Sequence, residues 1–226
     1  KPYTHLNFHN KAENFQFAVM ADRTGGARAG VFEDAIRKLN RLQPEFVISV
    51  GDLIGGYTTD TVSINAQWDA FDKLVEQIEM PYFYVAGNHD ISNLVMQEVY
   101  QKRRGPLWYH FVYHDVLFLV VNTEAPYSRL SDEQLAYFRK VLEVNPDPRW
   151  TMVFMHNPLW HPTAKTTQAE RLRSTRWDKF EELLRDRPHT VMAGHLHTYI
   201  ADKRNNGRDH LILATTGGYG PLRGAR

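Results

Sequence analysis

The stretch Tyr82-Phe83-Tyr84-Val85-Ala86-Gly87-Asn88-His89-Asp90 decides how the rest of the sequence is read. Its apolar run fits a strand, and the glycine that ends it hands over to an amide, an imidazole and a carboxylate. An Asn offers a neutral oxygen ligand, a His a nitrogen ligand or a proton, and an Asp a partner that orients the imidazole. In open α/β sheets the carboxyl ends of strands are where ligands bind. Asn, Gly and Asp also make ordinary turns, so the weight comes from repetition. Asp22, Gly51-Asp52, His156 and Gly194-His195-Leu196-His197 each close an apolar run in the same way.

Toward the N-terminus, Phe15, Phe17, Val19 and Met20 read as a strand ending at Ala21-Asp22-Arg23-Thr24-Gly25-Gly26. Val31, Phe32, Ala35, Ile36, Leu39 and Leu42 recur at helical spacing until Pro44 stops them. Phe46 to Val50 forms a second strand, so a βαβ unit places one carboxylate at each strand tip. A Gly- and Thr-rich loop from Gly55 to Asp60 then leads to a helix carrying Trp68, Phe71, Leu74, Val75 and Ile78, closed by Pro81. Residues 1–14 read as an irregular polar lead-in, in which His5 and His9 have no role.

Toward the C-terminus, Leu94, Val95, Val99 and Tyr100 mark a short helix, and Lys102-Arg103-Arg104-Gly105-Pro106 reads as its solvated end. Tyr109 to Tyr113 and Val116 to Val121 flank His114-Asp115 as a hairpin. Ser131 and Gln134 make a capping box for a helix with Leu135, Phe138, Val141 and Leu142. Trp150 to Met155 is a buried strand tipped by His156-Asn157-Pro158. The aperiodic stretch that follows, through His161-Pro162 and Lys165-Thr166-Thr167, is a lid over a site or a disordered connection, and its origin at the His156 tip favours the lid. A helix with Trp177, Phe180, Leu183 and Leu184 precedes the strand Thr190 to Ala193, and Thr198–Ala201 pairs with Leu211–Thr215 across Asn205-Asn206-Gly207. The chain stops soon after Gly217-Gly218-Tyr219-Gly220-Pro221, where a loop has only begun. Residues from further downstream, or from a partner, are therefore expected to complete the site.

The 226 residues suit one domain, and a fold of that size builds its core without staples. Hydrophobic residues make up 42% and charged residues 23%, with no apolar run near the roughly 18 residues of a membrane span. A formal charge of +1 gives no bulk electrostatic case for nucleic acid or anionic lipid. The absence of cysteine excludes disulfides, thiolate catalysis and thiolate-held metals. The chain begins at Lys1 rather than Met, without a charged-then-apolar leader, which favours an exported or periplasmic product over a cytoplasmic one.

The strand tips collect Asp22, Asp52, Asn88, His156, His195 and His197. Such mixed oxygen and nitrogen ligands suit Mn, Fe or Zn better than Ca or Mg. In a strand alternate residues share a face, so His195 and His197 are expected to point the same way and serve two adjacent ions. Asp22 to Gly30 lacks the G-x-G-x-x-G of a dinucleotide site, and no G-x-S-x-G of a serine hydrolase is present.

In order and content the five blocks resemble the calcineurin-like metallophosphoesterases, whose motifs run D-x-H, G-D, G-N-H-[DE], H and G-H-x-H; four of the five are intact here. The resemblance implies a four-layer α/β/β/α sandwich with mixed β-sheets and two ions (Mn, Fe or Zn) at one end. It implies that Asp52 bridges the ions, that Asp22 and His197 hold the first, and that Asn88, His156 and His195 hold the second. His89 would stand outside the metal shell as proton donor or phosphate contact, braced by Asp90. Two ions about 3.5–4 Å apart share a hydroxide that attacks a small phosphate monoester or diester in line. Thr24 stands where the family has a His, and a hydroxyl is the poorer ligand, so a weaker first ion is expected. That departure also allows a catalytically weak metal- or phosphate-binding module; a nuclease is disfavoured by the lack of a basic stripe. Arg23, Thr24 and the Gly25-Gly26 turn beside Asp22, with His161 in the lid, are the candidate substrate contacts.

Overall fold

The computed structural model describes residues 1–6, 14–124, 128–204 and 207–220; His9, the turn residues Asn205 and Asn206, and Pro221 lie outside them. Most apolar runs are separated by helix-length segments, and strands joined that way pair in parallel. β1 (Ala18–Met20), β2 (Val47–Ser49) and β3 (Tyr82–Phe83) form a parallel sheet in that order. A second sheet runs β4 (Tyr109–Tyr113), β5 (Val116–Val120), β6 (Trp150–Phe154), β7 (His189–Ala193), β9 (Arg208–Ile212) and β8 (Ile200–Arg204). Its interior pairs are parallel, and two antiparallel hairpins put β4 and β8 at its edges.

Apolar faces set the layering. Helices α1 (Val31–Leu42), α2 (Thr61–Val75) and α3 (Leu94–Arg104) pack Phe32, Ile36, Trp68, Phe71 and Met96 against Met20, Val47 and Tyr82. Helices α4 (Asp132–Val144), α5 (Gln168–Thr175) and α6 (Trp177–Leu184) cover the larger sheet, where Phe138, Trp177 and Phe180 meet Leu117, Val153 and Val191. The opposite faces of the two sheets meet through Phe46, Ile48, Val85, Phe118 and Phe154. The result is the expected four-layer α/β/β/α order with mixed strands. Among the described residues no helix is long and apolar enough to cross a membrane.

Several strands are shorter than their apolar runs, and the reason is local. Only Tyr82–Phe83 pairs as β3, because the next amides bond elsewhere: Tyr84 N–H to Pro2 O at 2.8 Å and Val85 N–H to Ser49 Oγ at 2.9 Å. Within the lead-in, Tyr3 is bridged to Phe83. Phe15 and Phe17 precede β1 rather than belonging to it, yet Phe17 stacks on Phe46 at 5.3 Å between the sheets.

Three expectations need correction. Arg104 is buried, not solvated: it pairs with Asp72 of α2 and lies 4.7 Å from the Trp68 ring and 4.4 Å from the Tyr84 ring. Each such cation–π contact contributes about 0.5–2 kcal/mol, and Arg103 joins the same acidic face through Asp69 and Asp72. The capping box at α4 forms only by half. Ser131 accepts from Gln134 N–H, whereas the Gln134 side chain turns to the backbone of Asn122. The stretch after His161 contains α5, which has a complete box from Thr167 and Glu170.

Candidate metal centre

Parallel strands point their carboxyl ends the same way, so β1, β2 and β3 carry Asp22, Asp52 and Asn88 to one end of the sandwich, while β6 and β7 bring His156 and His195. The backbone bends sharply there. Asp22 (φ 27°), Asp52 (φ 59°), His195 (φ 70°) and His197 (φ 54°) occupy left-handed conformations, four of the ten non-glycine residues with positive φ among the described residues. Each such residue costs on the order of 1–3 kcal/mol, and strain of this kind collects at functional sites. The segment Gly194 to His197 is a bend, not a strand, so strand alternation does not align the two histidines as expected. Left-handed turns at both positions bring them to the same pocket.

The acceptor atoms converge. Asn88 Oδ1 lies 2.8 Å from His156 Nε2 and 2.8 Å from His195 Nδ1, and those two nitrogens are 3.2 Å apart. Asp52 Oδ2 is 3.3 Å from His156 Nε2, and Asp22 Oδ1 is 3.4 Å from His197 Nε2. Asp22, Asp52 and His156 each offer one ligand atom within 4.8 Å of the others. Donor atoms are turned backward: His156 Nδ1–H donates to Val50 O at 2.8 Å, and His197 Nδ1–H donates to Tyr219 O. A carbonyl behind each ring fixes the tautomer and leaves Nε2 free, the usual arrangement behind metal-bound imidazoles.

Two further observations fit a cation. Asp22 Oδ2 is sealed from solvent and has no hydrogen-bond partner, an expensive state for a carboxylate oxygen unless a positive charge faces it. Burial opposes charging His156, but the carboxylates of Asp52 and Asp22 outweigh it and hold this imidazole well above its ordinary pKa. Burial likewise works against the Asp52 carboxylate, and His156 outweighs it, leaving that group below the usual range. The pocket demands positive charge. Burial, with His156 beside it, pushes His195 down to about 4, which keeps its lone pair available as a ligand. Glycines make room: a Cβ on Gly51 would meet His156 Nδ1 at 2.8 Å, and one on Gly25 would meet the His197 ring at 2.5 Å.

The remaining candidates fall into place unevenly. His89 stands at the rim, its Nδ1–H donating to Gly55 O at 2.7 Å and its Nε2 4.0 Å from Asp52 Oδ2. The expected brace from Asp90 is supplied by that carbonyl instead. Asp90 accepts four backbone amides, from Asp52, Leu53, Ile54 and Gly87, and so clamps two of the ligand loops together. Burial and the Asp52 charge push it up to about 7. Arg23 is turned away from the pocket, its guanidinium between Phe32 and Phe71 and bonded to Leu53 O at 2.9 Å. Thr24 is buried, with its amide on Asp52 O at 3.1 Å. In the Gly25-Gly26 turn the Cβ sides face the His197 ring and Tyr219, while Gly26 itself is exposed. His161 lies beside a cavity next to His195, 3.8 Å from Asp202.

Two contributors gave no signal in the sequence. Tyr57 OH accepts from Asn88 Nδ2 at 2.7 Å, which turns the amide so that its oxygen faces the histidines, and its ring packs edge-on to His89 at 4.7 Å. The stretch after β9 is the second. Thr216 N–H donates to Ala21 O at 2.6 Å and Gly218 N–H to Asp22 O at 2.9 Å, stitching it to the first block.

The calcineurin-like phosphoesterase family model matches residues 5–199. A probable glycerophosphodiester phosphodiesterase of Arcobacter nitrofigilis is 24% identical over 183 residues, 73% of this chain; the match spans 61% of that relative's length. Among solved structures, a dimetal phosphatase from Danio rerio superposes with a TM-score of 0.67 at 16% identity, covering 92% of this chain and 89% of that one. A purple acid phosphatase from yellow lupin (Lupinus luteus) gives 0.67 at 18% identity over 93% of this chain and 46% of its own. At these identities the structures speak for the fold alone, and that fold is the one built above. With most of its length matched by the family model, the chain belongs to the calcineurin-like phosphoesterase family.

Proposed function

We propose that the chain hydrolyses small phosphate monoesters or diesters by attack of water on phosphorus, with two metal ions. The observation that carries this reading is the convergence of acceptor atoms from Asp22, Asp52, Asn88, His156 and His195 while the donors on the His156 and His197 rings are tied behind them. Asp22 and His197 would hold one ion, Asn88, His156 and His195 the other, and Asp52 both. Ions in these seats would supply the nucleophile by lowering the pKa of a water from 15.7 toward about 7, and would offset charge on the phosphoryl oxygens. Mn, Fe and Zn all suit the donor set.

The leaving oxygen needs a proton, and His89 would give it. Gly55 O holds Nδ1–H, and Tyr57 packs against the ring edge, so Nε2 is the free corner facing the pocket. Asp90 acts one step back, keeping the Asp52 and Gly87 loops in register. The Arcobacter relative is described as a phosphodiesterase, which brings diesters into the proposed range.

The test is hydrolysis of p-nitrophenyl phosphate and bis(p-nitrophenyl) phosphate. Turnover that disappears with chelator and returns with Mn supports the reading. A protein that binds Mn and turns over neither ester is the binding module that Thr24 allows.

A further inference from the structure

On the His195 side of the metal centre lies a cavity of about 460 Å³, walled by Asn157, His161, Thr163, Arg171, His195 and Leu196. It shares His195 with the candidate centre and so adjoins it directly. Leu196 and Pro158 give it an apolar wall.

Arg171, on α5, is its cation. One guanidinium nitrogen, Nη2, donates to Asn157 Oδ1 at 2.8 Å; Nε is shut from solvent without a partner. Among the described residues the guanidinium forms no ion pair. Burial pulls it below its ordinary pKa, and the more distant Glu124 offsets that only in part. A half-buried guanidinium with spare donors and only the partial offset of Glu124 is under-compensated, and a carboxylate or phosphate is what its planar fork binds best. The group is also fixed relative to the centre. Asn157 follows the ligand His156 directly and is itself pinned by Thr123, whose Oγ1 accepts the Asn157 amide at 2.9 Å.

We propose that this cavity receives the organic part of the ester and that Arg171 binds a second anionic group there, so that the substrate is a phosphate ester carrying a further carboxylate or phosphate. This rests on the phosphoesterase reading above. His161, 3.8 Å from Asp202, flanks the same space and limits how bulky that group is.

The test uses pairs of esters that differ by the second charge: glycerol 3-phosphate against 3-phosphoglycerate, and adenosine 5′-monophosphate against adenosine 3′,5′-bisphosphate. The first pair adds a carboxylate and the second a phosphate. With Mn-loaded protein, kcat/KM should favour the doubly anionic member of at least one pair by about tenfold to hundredfold, the worth of a charge-assisted hydrogen bond. Arg171→Gln should erase that preference, Arg171→Lys should keep part of it, and Arg173→Gln, exposed on the same helix, should keep all of it. If Arg171 merely propped the His156 tip, its loss would slow both members of a pair alike and leave the ratio intact. Equal rates within both pairs for the unmodified protein, or a preference that survives Arg171→Gln, overturns the proposal. Should no ester turn over, calorimetric binding of the same pairs to the Mn-loaded protein replaces the rates. Tighter binding of the doubly anionic member, lost in Arg171→Gln, then supports the subsite and equal binding overturns it, while the missing turnover counts against the hydrolase reading alone.

Discussion

His156 and His210 are both sealed from solvent, yet their surroundings drive them in opposite directions. His210 sits among Trp160, Trp177 and His189 under the larger sheet, with no hydrogen-bond partner on Nε2 and Glu181 Oε1 3.7 Å away. Burial, with His189 and Arg204 adding to it, pushes His210 down to about 3; the Arg208 carbonyl and Asp202 resist only weakly. His156 is just as dry, but Asp52 and Asp22 overcome the burial and pull it up. Burial alone makes a neutral core histidine, and it takes convergent carboxylates to turn one into a seat for positive charge. Backbone conformation divides the two regions as well: His210 lies in regular β9, whereas Asp22, Asp52, His195 and His197 are all left-handed.

The sharpest way to break this contrast is to remove the charge that creates it. Asp52→Asn should drop turnover to background and cost the protein both ions, whereas His210→Gln should leave metal content at the unmodified level; elemental analysis after gel filtration reads both. Next in size is His89→Ala. It should keep its metals and lose about 10²–10⁴-fold in kcat, most for esters with poor leaving groups. Normal turnover with an alkyl phosphate would remove His89 from the mechanism.

Smaller effects probe the groups behind the ligands. Tyr57→Phe keeps the ring against His89 but frees the Asn88 amide to rotate, so the ion held by Asn88, His156 and His195 should bind about 10–100-fold more weakly in chelator competition. Thr24→His should act in the other direction, slowing loss of the Asp22 and His197 ion during dialysis; unchanged retention would mean that position 24 does not face that ion.

The smallest effect belongs to His210. Its folded pKa of about 3 lies below the roughly 6.5 of an unfolded chain, so the unfolded state binds the extra proton between those values. The contribution is complete above about pH 6.5 and is lost as pH falls toward 3, by at most about 1.4 kcal/mol per pH unit. Denaturant titrations at pH 7.5 and 5.0 should therefore show a larger acid penalty for the unmodified protein than for His210→Gln. Equal penalties would mean that His210 is not held neutral.

Much of this was readable in advance because it rests on period and punctuation. The α1, α2, α4 and α6 faces follow helical spacing, and His114-Asp115, with φ 46° and 59°, makes the tight turn its flanking strands imply. The candidate ligand set was legible because its members follow apolar runs. What stayed hidden depends on partners remote in sequence. Nothing near Arg104 announces Asp72 and the Trp68 and Tyr84 rings, and nothing near His89 says that Gly55 rather than Asp90 will hold its ring. Helix α5 was masked by its polarity, although the Thr167 and Glu170 box was a start signal in plain view. Tyr57 lies in a loop with no period, and its contact with Asn88 exists only once β2 and β3 are side by side.

The most direct test is a crystal structure of the Mn-loaded protein with anomalous scattering measured at the manganese edge. Two peaks are predicted, both touching Asp52, one shared with Asp22 and His197 and the other with Asn88, His156 and His195. A map with no anomalous peak at these side chains, or with Asp52 and His195 facing separate metal-free regions, would contradict the account.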